Sequence, residues 1–316
     1  MSKFKVGLGQ IAPVWLDREN TTSKVCDYIS QAASESCSLV VFGETLLPGY
    51  PFWLGSTHGS KFNCDVQKDI HAHYLKSAVD IGRGDLDPIC ELAKSNSIAV
   101  MLGCYELGFD RGGHTGYASL VYVDPSGEVR NAHRKLMPTY EERLAWGIGD
   151  GNGLETFPLG PFQVSGLNCW ENWMPLPRAV LHGLGSNLHV AVWPGAKRNT
   201  IDITRFVALE ARSYVLSVSG LLRKSDIPDD FPHRDLVLDS FESEMISDGG
   251  SCIAAPNGDW VVEPFCDEEK LLTATIDHNE VLRERHNFDI SGHYSRPDVF
   301  KMQVNRDRQN LIEESE

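Results

Sequence analysis

VSGLNCWENWMPLPRAVL, Val164 to Leu181, is the stretch on which the reading of this chain turns. An apolar run with small residues, Val164 to Leu167, leads to Cys169. A polar and aromatic corner follows at Trp170-Glu171-Asn172-Trp173, and Pro175 and Pro177 then stand where a helix would open, ahead of Arg178-Ala179-Val180-Leu181. The pattern predicts strand, sharp turn, helix. A thiol at such a corner is presented above a sheet, with the N–H groups that open the helix beside it to receive an oxyanion. Cys169 is therefore a candidate nucleophile.

Working outward, the same kind of strand end recurs. Leu39 to Phe42 is wholly apolar, as expected of a strand buried on both faces, and it delivers Glu44. Glu128 to His133, the hairpin partner of Ala118 to Val123 across the Asp124-Pro125-Ser126-Gly127 turn, delivers Lys135. In layered α/β folds, sites gather beyond the carboxyl ends of strands. A carboxylate, an ammonium and a thiol in these positions are what thiol chemistry needs. A free thiol with a pKa of about 8.5 is mostly protonated at neutral pH. A carboxylate can take its proton, and an ammonium favours the thiolate and the negative charge developing on a substrate. Glu142, seven residues after the lysine, is a fourth candidate, to orient Lys135 or to hold substrate or water. Each has an ordinary alternative when taken alone: Glu44 a solvated loop carboxylate, Lys135 a surface lysine, Cys169 a small buried residue, Glu142 a surface ion pair.

The remaining chain alternates helix and strand. Phe4 to Ile11, Ile98 to Tyr105, Thr156 to Leu159, Phe162 to Leu167, Leu188 to Trp193, Tyr214 to Ser219, Ser251 to Ala255, Trp260 to Glu263 and Leu271 to Ile276 have strand patterns. Helices are expected after a cap at Thr21 or Thr22, over Val66 to Val79, from Asp87-Pro88, over Thr204 to Arg212 and over His278 to Arg285. Thr45 to Ser60, rich in Gly, Pro and aromatics, reads as a long loop, and Leu221 to Met245 as an irregular or mobile surface segment. The pattern implies an α/β layered protein with mixed sheets. Residues 1–300 read as a single domain, and residues 301–316 as a polar, frayed tail.

Bulk properties narrow the function. The chain has 316 residues, 41% hydrophobic and 23% charged, which is ordinary globular composition. Its net charge of −15 gives no general attraction to nucleic acid or anionic lipid. No apolar run approaches the ~20 residues of a membrane span, and no export signal is evident, so a cytoplasmic protein is expected. The eight cysteines are irregularly spaced and are expected to be reduced. His71 and His73 form a lone His-x-His whose members point to different faces of a helix, so no metal site is expected there.

Three stretches together resemble the nitrilase superfamily of carbon–nitrogen hydrolases, and within it the nitrilase branch. VVFGETLLPGYP resembles the family's glutamate motif and implies a general base at Glu44. HRKLMPTYEERLAWGIGDG resembles the lysine motif and implies Lys135 and the second glutamate, Glu142. LNCWENWMPL resembles the nucleophile motif and implies Cys169. DGGSCIAAPNGDWV, from Asp248, and GHYSRPDVF, from Gly292, are weaker echoes. Trp170-Glu171-Asn172 after the cysteine is similar to nitrilases; amidases and carbamoylases differ there, and cyanide-converting enzymes usually carry His in place of Asn172. The resemblance implies a four-layer αββα sandwich with mixed sheets, and a homodimer or higher homo-oligomer stacked αββα–αββα through the helix after Cys169 and the one around Thr204 to Arg212. It implies cofactor-free hydrolysis of a small-molecule nitrile to the acid and ammonia. An amidase or N-carbamoyl hydrolase would use the same four residues, and a non-catalytic scaffold is the alternative from another class. Tyr50, Trp53, Trp170 and Trp193 are the candidate pocket walls, with simple core packing as the alternative for each.

Overall fold

Strand β2, Leu39–Phe42, shows how the layers arise. Leu39 and Val41 enter the core between two sheets, whereas Val40 and Phe42 enter the core beneath a helical layer. With a side-chain period of two and both faces covered, every position is apolar. The computed structural model describes residues 2–312.

The first sheet is six-stranded and ordered β13 (Lys270–Asp277), β1 (Lys3–Gln10), β2, β3 (Ala99–Leu107), β4 (Gly116–Val123) and β5 (Val129–Arg134). The second is seven-stranded: β10 (Leu221–Arg223), β11 (Met245–Ala254), β9 (Tyr214–Ser219), β8 (Leu188–Trp193), β7 (Phe162–Asn168) and β6 (Phe157–Leu159), with β12 (Trp260–Cys266) paired to β11. Each sheet is mixed. β1, β2 and β3 run parallel, as do β7, β8 and β9, and antiparallel strands flank both sets. Phe4, Val6, Leu8, Val164, Val190 and Val218 are among the side chains that meet between the sheets. Helices α1 (Arg18–Ser34) and α4 (Asp87–Asn96) cover the first sheet; α5 (Pro175–Gly183) and α6 (Lys197–Ala211) cover the second. The result is the αββα sandwich that the family resemblance implies. Helices α2 (Trp53–Ser56), α3 (Asp65–Lys76) and α7 (Arg234–Ser240) form a separate aromatic cluster, and α8 (His278–Arg285) follows β13.

Four local expectations are revised. Helix α1 is capped by Asp17, whose carboxylate accepts from the Asn20 N–H at 3.0 Å, so Thr21 and Thr22 lie inside the helix. Helix α6 begins at Lys197, seven residues before Thr204, because its first turn is polar and faces a cleft. The segment expected to be irregular, Leu221 to Met245, contains β10 and α7 and buries Leu222, Ile227, Phe231 and Val237; the spacing of these residues was masked by intervening Asp and Pro. Residues 305–309 are held rather than frayed. Arg308 donates to the Asp150 carboxylate at 3.0 Å and to the Ala132 carbonyl at 2.8 Å, and the Gln309 amide donates to the Gly149 carbonyl at 3.1 Å.

One glycine is required by a close approach. A Cβ on Gly103 of β3 would lie 2.2 Å from the Gly43 carbonyl oxygen and 2.7 Å from the Glu44 Cα, both backbone atoms. Gly103→Ala is expected to push the Glu44 loop away, costing about 1–3 kcal/mol through overpacking. Turnover should fall about 100-fold or more, since a displacement near 1 Å can cost that much. Thermal unfolding and kcat/KM of the variant would check this; unchanged activity would show that the loop does not need the contact.

Candidate active site

The carboxyl ends of β2, β5 and β7 bring the four catalytic candidates together. Glu44 follows β2, and its N–H bonds the Trp193 carbonyl at the end of β8 at 3.1 Å, joining the two sheets. Lys135 directly follows β5 and anchors its own N–H on the Ala118 carbonyl at 2.7 Å. Glu142 lies on a 3-10 turn, Tyr140–Leu144, and its carboxylate reaches back to accept from the Thr139 N–H at 2.6 Å. Cys169 opens a second 3-10 turn, Cys169–Trp173, directly after β7.

The corner at Cys169 departs from the sequence reading in one respect. A 3-10 turn intervenes between strand and helix, and α5 begins only at Pro175. The N–H that reaches the Cys169 sulfur is that of Trp170, not one from α5. Cys169 itself has φ of 50°, in the left-handed region that ordinary residues avoid at a cost of roughly 1–3 kcal/mol. The surroundings hold it there. Asn172 donates to the Cys169 carbonyl at 2.9 Å and accepts from His189 Nε2 at 2.8 Å, and His189 Nδ1 faces the Ser165 hydroxyl at 2.9 Å. Burial, helped by nearby His182 and Arg178, pushes the His189 pKa down to about 3, so the ring is neutral; Nε2 donates and Nδ1 accepts from Ser165.

Lys135 Nζ lies 2.8 Å from Glu44 Oε1 and 2.6 Å from Glu142 Oε2. An oxygen of each carboxylate and the Cys169 sulfur all fall within 4.8 Å of one another. All four side chains are buried. Glu142 also accepts from the Tyr50 hydroxyl at 2.7 Å, so its two oxygens are occupied. Glu44 differs: Oε2 is buried and has no hydrogen-bond partner among the described residues. The carboxyl of Glu44 is raised well above the usual carboxylate range by burial and by the charges of Glu142 and Glu171, against the pull of Lys135. Burial, followed by Glu44, raises the Cys169 thiol as well, so the resting sulfur is protonated. Burial opposes the Lys135 charge, but the surrounding acidic groups outweigh it and raise its pKa. The cluster thus holds a protonated thiol, a fixed ammonium and, on Glu44, a carboxyl whose pKa, raised to about 8, lets it take up and release a proton near neutral pH. The Lys135 ammonium bridges the two carboxylates.

Above the cluster opens a cleft of about 600 Å³ whose walls include Tyr50, Phe52, Thr139, Trp170, Arg198 and Ile246. Tyr50 and Trp170 therefore line the cleft. Trp53 and Trp193 do not. Trp53 is fully buried, edge-on to Trp15 and Tyr74. Trp193 alternates with Val192, so it points into the core beneath α6 with Ile203 and Val207. Arg198 and Asn199 were missed because α6 starts earlier than its apolar spacing suggests. Ile246 and Ser247 were missed because their strand begins inside a polar segment.

The comparisons with known proteins agree with this geometry. The carbon-nitrogen hydrolase family profile matches residues 5–284. A protein named nitrilase 2 from an unknown prokaryotic organism is 35% identical over 95% of this chain and 92% of its own length. An aliphatic nitrilase from Sinorhizobium fredii (strain HH103) is 32% identical over 99% of both chains. Among solved structures, a carbon-nitrogen hydrolase from Helicobacter pylori G27 superposes with a TM-score of 0.71 at 17% identity, covering 94% of this chain and 96% of that one. With sandwich, strand-end cluster and profile in agreement over nearly the whole chain, this protein belongs to the carbon–nitrogen hydrolase family.

Proposed function

We propose that this enzyme is a nitrilase, converting an organic nitrile to the carboxylic acid and ammonia. The observation that carries this reading is the meeting of a free carboxylate oxygen on Glu44, the Lys135 ammonium and the Cys169 thiol at the floor of one cleft. The nitrilase names of relatives that match the full length support it.

Glu44 takes the thiol proton as Cys169 attacks the nitrile carbon, and the proton passes to nitrogen, leaving a thioimidate. Lys135 stabilises charge developing on that nitrogen. Glu142, with both oxygens engaged, holds Lys135 in place. Water, deprotonated by Glu44, adds to the thioimidate carbon. That proton passes from Glu44 to nitrogen, giving a tetrahedral carbon that carries OH, NH2 and sulfur. The C–N bond then breaks as the hydroxyl proton is transferred to the nitrogen through Glu44, ammonia leaves, and a thioester remains. A second water releases the acid and restores the thiol. If the tetrahedral species breaks its C–S bond instead, an amide is released. No step draws on a cofactor.

A homo-oligomer fits the outer surface of the second sheet's helices, where Trp173, Met174, Leu176, Phe206 and Leu209 are exposed and Phe206 stacks on Trp173. Residues 1–300 act as one hydrolase domain, against which residues 305–309 are strapped. Eight unpaired thiols support a reducing, cytoplasmic setting. Among the described residues, no helix is long and apolar enough to cross a membrane.

Ammonia release from a panel of aliphatic, arylaliphatic and aromatic nitriles, each beside its matching amide, tests the assignment. Nitriles are expected to turn over faster. Faster turnover of the amides throughout would make the protein an amidase using the same four residues.

A further inference from the structure

We propose that Glu171 is the positioning residue that holds Lys135 and Cys169 at their working separation, by tying together the two sheets from which they come. Lys135 follows β5 of the first sheet, and Cys169 follows β7 of the second. The sheets meet face to face through aliphatic and aromatic side chains. Apolar packing is non-directional and does not by itself set a relative position to within tenths of an ångström. Directional hydrogen bonds at the seam can do so.

Glu171 supplies them from one carboxylate. Oε1 accepts from the N–H of Leu136, the residue directly after Lys135, at 2.5 Å. Oε2 accepts from the N–H of Asn168, the residue directly before Cys169, at 2.8 Å. Oε2 also lies 3.1 Å from Nε2 of His133, two residues before Lys135. Glu171 is only 1% exposed and lies outside the walls of the cleft, so it does not meet substrate. Burial works against its charge, but His133 and the two peptide N–H donors outweigh that and hold its carboxyl below the usual range. A carboxylate is the group required here, because every neighbour is a donor and both oxygens must accept.

Two substitutions separate charge from reach. Glu171→Gln keeps the size, but its amide NH2 must face one of the peptide N–H groups, and the negative charge is gone. Glu171→Asp keeps the charge and shortens the reach by one methylene. The inference rests on the proposed roles of Lys135 and Cys169. Turnover is therefore read on whichever nitrile or amide the unaltered enzyme hydrolyses, and a second readout needs no substrate. In both variants kcat per folded molecule is expected to fall about 100-fold, the order of loss a misplacement near 1 Å produces, with KM within threefold. The pH dependence should split them. Glu44 faces Lys135 after β5, Glu142 on the 3-10 turn, and Glu171 itself. Because Glu171 raises the Glu44 carboxyl, the acid limb of kcat/KM should move to lower pH in Glu171→Gln and stay in place in Glu171→Asp. In hydrogen exchange, the Leu136 and Asn168 amides should lose protection together in both variants. Amides that remain protected, or a kcat within threefold of the unaltered enzyme, would overturn the proposal. So would activity lost only in proportion to lost folded protein with an unmoved acid limb in Glu171→Gln.

Discussion

Replacing Cys169 with alanine is expected to abolish ammonia release, lowering kcat by at least about 10⁴-fold. Without the sulfur no covalent intermediate can form, and the one-step addition of water to a nitrile carbon has no activated nucleophile in its place. A factor of 10⁴ corresponds to roughly 5.5 kcal/mol of transition-state stabilisation. The fold should tolerate the change. Alanine keeps the Cβ, so the φ of 50° is no more strained than before, and the group removed is a thiol that burial already holds protonated. Thermal unfolding within a few degrees of the unaltered enzyme, no adduct by mass spectrometry after mixing with substrate, and no ammonia are the expected results. Ammonia release above about 1% of the original would mean that another group attacks the substrate.

Lys135→Met should be nearly as damaging to turnover and far more damaging to the fold. Methionine fills a similar space, so the loss is one of charge. Glu44 and Glu142 then face each other, buried, with no cation between them. Removing one partner of a buried ion pair costs about 3–5 kcal/mol because the remaining charge is uncompensated. The cost should depend on pH. Without the ammonium, the carboxyl of Glu44, already raised in the folded protein, loses the charge that pulls it down and is raised further above the unfolded value near 4.3. Across that interval the folded state binds more protons than the unfolded state, so stability falls as pH rises. In the unaltered protein, the raised pKa of Lys135 contributes stability that is present throughout the acid and neutral range and is lost only in strong alkali. The stability gap between the two proteins should therefore be wider at pH 8 than at pH 5 in urea unfolding. A gap that does not change with pH would show that the ammonium is not what balances the carboxylates.

The catalytic candidates were legible because each announces itself locally. Glu44 and Cys169 end apolar runs that can only be buried strands, and Lys135 ends a hairpin marked by a strong turn. The pocket was less legible for a reason seen in Trp193. As one of the largest side chains near a strand end it looked like a wall, yet the period of two assigns it to the helix-side core. Trp53 was misread in the same way, since its partners Trp15 and Tyr74 are distant in sequence. Arg198 and Asn199 carry no apolar spacing and were assigned to no element. Glu171 was noticed only as part of a motif, because nothing local reveals that its carboxylate meets the residue after Lys135.

Sequence alone determined a layered α/β chain with mixed sheets, and the placing of Glu44, Lys135 and Cys169 at the ends of strands. These follow from side-chain periodicity and turn chemistry, which act within a few residues of one another. Only the tertiary structure decided that the three ends converge, that Glu44 keeps one oxygen free, that Lys135 lies between two carboxylates, and that Glu171 bridges the seam. Each of these is a contact between chain segments far apart in sequence. They form because burial of the apolar strand faces stacks one sheet on the other, and the polar groups left at the seam must then satisfy each other away from water.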